Sequence, residues 1–143
     1  MIRLILIACC LAALPARADE ALLLSARGTI QVAFTPGDDA AGLIVDAISK
    51  ARRQVLVQTY SFTHEAIGQA LIDAKRRGID VQVIADQRQI ESIATSKIEW
   101  LVEQGVPVWV DAEHAAAHNK VMVIDNGATE ALVITGSFNF TQA

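Results

Sequence analysis

Apolar and polar positions change period several times along this chain, and each change marks an element. Thr29 to Phe34 alternates as a strand does, and Thr35-Pro36-Gly37-Asp38 closes it as a turn. From about Asp39, Leu43, Ile44, Ala47, Ile48 and Ala51 recur at helical spacing and define one buried face. Gln54 to Tyr60 reads as the next strand. A helix follows from Thr63 as N-cap, with Ile67, Ala70, Leu71 and Ala74 facing inward and Gly78 stopping it. Ile79 to Ala85 is a strand, Ile90 to Gln104 a helix ended by Gly105, and Val106 to Val110 another strand. His118 to Asp125 and Ala131 to Thr135 form a closing antiparallel pair around Asn126-Gly127.

Strands alternating with helices across short joins imply right-handed parallel crossovers, hence an α/β layered domain. The antiparallel pair at the end makes its sheet mixed. No internal repeat or low-complexity tract is visible, which weighs against a solenoid or a linker protein.

The 143 residues suit one domain. Arg3, the apolar run Leu4 to Leu14 and Ala16-Arg17-Ala18 fit an export leader over residues 1–18, leaving a domain over 19–143. Leu6-Ile7-Ala8-Cys9 also resembles a lipoprotein cleavage box, but its apolar core is shorter, and cleavage after Ala18 is the preferred reading. The expected location is therefore periplasmic or secreted. Both cysteines, Cys9 and Cys10, fall inside that leader, so thiolate chemistry and disulfides are excluded from the domain. Without Arg3 and Arg17 the 12 basic residues fall to 10 against 16 acidic ones, a net charge of −6. An acidic domain is a poor general polyanion binder. An enzyme that meets one phosphate at a time is not excluded.

The chemistry concentrates at the closing pair. His118 and Lys120 stand two apart at the head of an alternating run, so they point to one side of a strand. A neutral imidazole is a competent nucleophile near pH 7, and an adjacent ammonium stabilises charge developing on a phosphoryl group. Asp125 is an odd number of residues from both and faces the other way. His114 and His118 could instead be helical zinc ligands, but the strand pattern after His118 and the lack of an HExxH order weigh against it. His114 and His64 read as solvated loop and helix-start residues, and Trp100 and Trp109 as core. The triplets Lys50/Arg52/Arg53 and Lys75/Arg76/Arg77 lie at helix C-termini, where the helix dipole accounts for them. Asp86 and Arg88 follow a strand's carboxyl end, where α/β folds place ligand contacts.

His118, Lys120 and Asp125, followed by Gly136, Ser137 and Asn139, match the signature of the phospholipase D superfamily. The chain resembles its small single-motif exported bacterial endonucleases, which also carry a Tyr-Ser-Phe like Tyr60-Ser61-Phe62. That resemblance implies an α/β fold, a layered α-β-α domain with a mixed β-sheet. It implies catalytic roles for His118, Lys120 and Asp125, with His118 attacking phosphorus to form a phosphohistidine. Lys120, Ser137 and Asn139 would bind the substrate phosphate, and Asp125 would be a structural partner away from it. It implies no metal and no cofactor. With one such motif per chain, it implies a homodimer sharing one active site.

Ten residues separate Asp125 from Gly136, where the family usually has about six. A two-residue turn at Asn126-Gly127 would set Lys120 against Val133 and His118 against Thr135. A longer loop would set Asp125 against Leu132, Lys120 against Ser137 and His118 against Asn139, gathering the polar groups on one face. The second register is preferred. Relatives continue past this motif with a further strand and helix, so residues 19–143 are expected to be a C-terminally truncated form. The function expected is metal-independent hydrolysis of nucleic-acid phosphodiesters, DNA or RNA. The alternatives are hydrolysis of phospholipid head groups and a non-catalytic phosphate-binding remnant.

Overall fold

The computed structural model describes residues 28–142, so the leader reading of residues 1–18 lies outside the described residues. Residues 28–31 belong to a separate N-terminal unit, and residues 32–142 carry the sheet and the site. The elements run α1 (Ala40–Lys50), β1 (Gln54–Thr59), α2 (Glu65–Arg76), β2 (Asp80–Asp86), α3 (Gln87–Ser92), α4 (Ile98–Glu103), β3 (Val108–Asp111), β4 (Lys120–Ile124) and β5 (Leu132–Thr135).

The five strands form one mixed sheet in the order β3-β2-β1-β4-β5. β1, β2 and β3 are parallel, whereas β4 runs antiparallel to both β1 and β5. This is the α/β mixed-sheet class expected from the alternation of periods. One face of the sheet carries Val55, Val57, Val81, Val83, Met122 and Ile124, all buried against Ile44 and Ile48 of α1, Ile67 and Leu71 of α2, and Leu101 of α4. The other face carries Leu56, Val121 and Val123 with the more exposed Ile84, Trp109 and Val133. Trp109 is therefore not core, as its pattern suggested. Trp100 is, and it packs against Gly68 of α2.

Local chemistry sets the boundaries. The Asp39 side chain accepts from Gly42 N at 2.7 Å and starts α1. Gly105 at φ 81° ends α4 in a conformation that a Cβ disfavours. Three expected boundaries change. Thr29 to Phe34 is not a strand: no ladder pairs it, and Phe34 O instead accepts from Gly37 N and Asp38 N in the following turn. The N-cap of α2 is His64, because the Thr63 hydroxyl is occupied by Gln142 N at 3.1 Å. The single helix Ile90 to Gln104 is two, broken across 93–97, where Lys97 N turns away to Phe62 O and the Ser96 hydroxyl accepts from Ile98 N. Serine and threonine at such a break offer the backbone non-helical partners.

The closing hairpin adopts neither register weighed from the sequence. Val121 pairs with Thr135, Met122 with Ile134, Val123 with Val133 and Ile124 with Leu132. That is one residue away from the preferred pairing, and a one-residue slip exchanges the faces of a strand. The slip puts Ile134 beside Met122, where it packs against the core. Seven residues, 125–131, connect the strands through Asp125 at φ 52° and Gly127 at φ 78°, rather than a two-residue turn.

Candidate active site

The carboxyl ends of β1 and β2 and the amino end of β4 meet at one edge of the sheet, and His118 and Lys120 are there. Lys120 opens β4 opposite Thr59, and Tyr60 N extends the ladder to Asn119 O at 2.8 Å. His118 precedes the strand, in the loop after β3, rather than lying on it as expected. The two side chains still converge. Lys120 Nζ is 3.1 Å from His118 Nδ1, 3.1 Å from Nε2 and 3.3 Å from His118 O. The imidazole residue is exposed, whereas Lys120 is only 6 % exposed. Burial holds the Lys120 amine below the ordinary lysine range, because desolvation penalises the charged form.

Tyr60 walls this pair. Its ring centroid lies 4.3 Å from that of His118 at 62°, and Lys120 Nζ stands 5.0 Å from the Tyr60 centroid. The ring's negative face favours a nearby ammonium. Gln89 holds Tyr60 in turn: its Nε2 donates to the Tyr60 hydroxyl at 3.1 Å, and its Oε1 accepts from the Ser61 hydroxyl at 2.5 Å. Asp86 is 1 % exposed, and its carboxyl group accepts from Gln89 N at 2.9 Å and from Ala117 N at 2.8 Å. The position of Asp86 at the carboxyl end of β2 agrees with its reading from the sequence as a strand-end candidate. Gln89 and Tyr60 carried no signal for these contacts, since both depend on where α3 and β1 end relative to each other.

The remaining signature residues are placed differently. Asp125 is at the far end of β4 from Lys120, five residues along a strand that rises about 3.3 Å per residue. Its carboxylate accepts from Arg52 N at 2.9 Å, Arg53 N at 2.7 Å and Gln54 N at 2.9 Å, tying β4 to the start of β1. Burial raises its pKa, but these backbone donors, with the nearby Arg53 charge, outweigh that and hold it below the usual carboxylate value. Asp125 thus stands apart from the His118–Lys120 pair, bracing β4 against the start of β1.

Ser137 and Asn139 follow β5, past the last ladder pair, so the expected pairings of Lys120 with Ser137 and His118 with Asn139 do not form. The chain bends at Gly136-Ser137, and Phe140 then enters the core against Phe62, ring centroids 6.3 Å apart. Thr63 N and His64 N both donate to Phe140 O at 3.0 Å and fix this segment. Ser137 is exposed. Asn139 is half-buried, and its Oδ1 is buried with no partner. His64 is half-buried rather than solvated, with an unpartnered Nδ1. His114 is exposed and joins Asp111 through Nδ1 at 2.9 Å. Its hydrogen bond to that carboxylate raises its pKa. Among the described residues no group of three or more metal-ligating side chains is assembled.

Residues 44–143 match the family described as "Cardiolipin synthase, PLD-like domain". Proteins named phospholipase D from Rickettsia bellii and Rickettsia prowazekii are each 36 % identical, over 117 and 115 residues. These alignments cover 82 % and 80 % of this chain but 56 % and 54 % of those proteins, so the chain spans about half their length. The crystal structure of the phospholipase D family member Nuc from Salmonella typhimurium superposes with a TM-score of 0.67 at 34 % identity, covering 76 % of this chain and 69 % of that one. NucT from Helicobacter pylori superposes with a TM-score of 0.59 at 29 % identity, covering 71 % and 67 %. The chain belongs to the phospholipase D superfamily.

Proposed function

We propose that this protein is an exported, metal-independent phosphodiesterase that hydrolyses nucleic acid through a phosphohistidine intermediate on His118. The observation that carries this reading is the approach of Lys120 Nζ to both ring nitrogens of an exposed imidazole at 3.1 Å. A phosphoryl group seated there lies within reach of nucleophile and cation together. Neutral His118 attacks phosphorus, the bond to the leaving oxygen breaks, and negative charge grows on the non-bridging oxygens beside the Lys120 ammonium. By the family signature Ser137 and Asn139 are the further candidates for holding these oxygens, although they follow β5 instead of pairing with Lys120 and His118. Water then cleaves the phosphorus–nitrogen bond and regenerates the imidazole.

The departing oxygen needs a proton. Each chain carries one histidine-lysine pair of this kind, so the proton donor in this reading is the partner subunit's His118, across a two-fold axis. The names Nuc and NucT favour nucleic acid as the substrate. The rickettsial relatives are named phospholipase D and more distant ones mitochondrial cardiolipin hydrolase, which favours a phospholipid as the second reading. Both present the same phosphodiester. Among the described residues no helix is long and apolar enough to cross a membrane.

Incubation with plasmid DNA, and separately with phosphatidylcholine vesicles, decides between them. Nicking of DNA that persists in EDTA and disappears in His118→Ala is the expected result. Release of choline without nicking selects the second reading, and a requirement for added magnesium overturns the mechanism.

A further inference from the structure

Among the described residues the ring nitrogens of His118 are met only by Lys120, and no carboxylate hydrogen-bonds to the imidazole to set its orientation. Misplacing a nucleophile by about 1 Å can lower a rate on the order of 100-fold, so the contacts that fix this ring matter. Besides Lys120, two fixed contacts reach His118, and both trace to one buried group.

The first is through the backbone. Ala117, directly before His118, is buried and donates its N–H to Asp86. The second is through the ring wall: Tyr60 packs edge-on against the imidazole, and its hydroxyl is tethered by Gln89. The Gln89 backbone N–H is held by the other oxygen of the same Asp86 carboxyl group. Ser61, also buried, pins the opposite end of the Gln89 amide. The carboxyl group thus grips the chain beside the nucleophile and the side chain that holds its aromatic wall. Buried hydrogen-bonded groups of this kind are stiff, since moving the carboxyl group would leave a buried N–H unpaired.

We propose that Asp86, acting through Gln89 and Tyr60, is the positioning residue for the His118 imidazole. None of the three is required to touch substrate. This inference rests on the catalytic reading of His118, but its consequence for the ring is independent of turnover: His118 adopts one orientation while the Asp86–Gln89–Tyr60 chain is intact.

The test uses the full chain labelled with 15N-histidine. It combines imidazole NMR spectra with steady-state hydrolysis of bis(p-nitrophenyl) phosphate. The His118 signals are assigned by their loss in His118→Ala. Gln89→Leu and Asp86→Asn are expected to lower kcat on the order of 10- to 100-fold with KM changed less than about twofold. Their His118 ring signals broaden or double. Gln89→Glu keeps an acceptor for both hydroxyls and is expected to restore a single ring state and kcat to within about threefold. Two results overturn the proposal: unchanged His118 signals and kcat in Gln89→Leu, or losses in both variants that scale with melting temperature while Gln89→Glu rescues nothing. Should Asp86→Asn fail to fold, Gln89→Leu and Gln89→Glu decide alone. If the wild type turns over no diester, the catalytic reading fails, and the ring spectra of the Gln89 variants still decide this inference.

Discussion

Lys120 Nζ stands 3.1 Å from both ring nitrogens of His118, yet only Lys120 lies on a strand. The cation is part of the rigid sheet, buried opposite Thr59, while the imidazole rides on the loop that enters it. This division suits their tasks. A stabiliser of developing charge must not reorganise, whereas a nucleophile must remain open to solvent and substrate. It also makes the lysine expensive to keep, since burial has depressed its pKa.

Lys120→Met should therefore remove activity and raise stability. The unfolded lysine titrates near ~10.5 and the folded one lower. Below the folded pKa both states are protonated and the desolvation penalty is fully present. As pH rises from there toward about 10.5 the unfolded chain holds more proton, so wild-type stability increases. Thermal melts should show Lys120→Met more stable than wild type at pH 7 by about 1 kcal/mol, a few degrees. The gap should narrow toward pH 10. A less stable variant at pH 7 would refute the burial argument.

Asp125 gives the opposite sign. Its folded pKa lies below the unfolded value near ~3.9, so its contribution is present above that value and fades as pH falls through the folded pKa. Asp125→Ala leaves the amides of Arg52, Arg53 and Gln54 without their acceptor, a loss of about 3 kcal/mol or more. Acid titration of unfolding should be flatter below about pH 4 in Asp125→Asn than in wild type. Turnover per folded molecule should stay within about threefold of wild type. A hundredfold loss in a fully folded variant would place this carboxylate in the chemistry after all.

Gly68 on α2 lies under the Trp100 ring, where an added Cβ would come within 2.6 Å of Cζ3. Gly68→Ala gains helix propensity but must displace the indole, and overpacking of this kind costs about 1–3 kcal/mol. Urea unfolding should report a lower midpoint with an unchanged slope. A midpoint at or above wild type would mean that Trp100 moves aside freely.

The elements legible in the sequence were those whose burial follows one period without interruption. β1 buries every second residue, α1 keeps its apolar face and its Asp39 cap, and the His118–Lys120 spacing survived even though His118 left the strand. What could not be read depended on partners distant in sequence. The break between α3 and α4 exists because Lys97 N finds Phe62 O, and periodicity cannot see that carbonyl. The hairpin register turned on whether Ile134 or a polar residue would sit beside Met122, and apolar packing prevailed over gathering the polar set. Ser137 and Asn139 are positioned by the anchoring of Phe140 against Phe62, not by the strand they follow. Asp86 was visible as a strand-end acid, but its link to His118 runs through Ala117, 31 residues away.

The proposed covalent bond between His118 and phosphorus can be trapped. The chain is mixed with a phosphodiester substrate, quenched in alkali within the first turnover and digested for mass spectrometry. A phosphoryl adduct is expected on the peptide containing His118, present in EDTA and absent from His118→Ala. Turnover of the diester with that peptide unmodified throughout would contradict it.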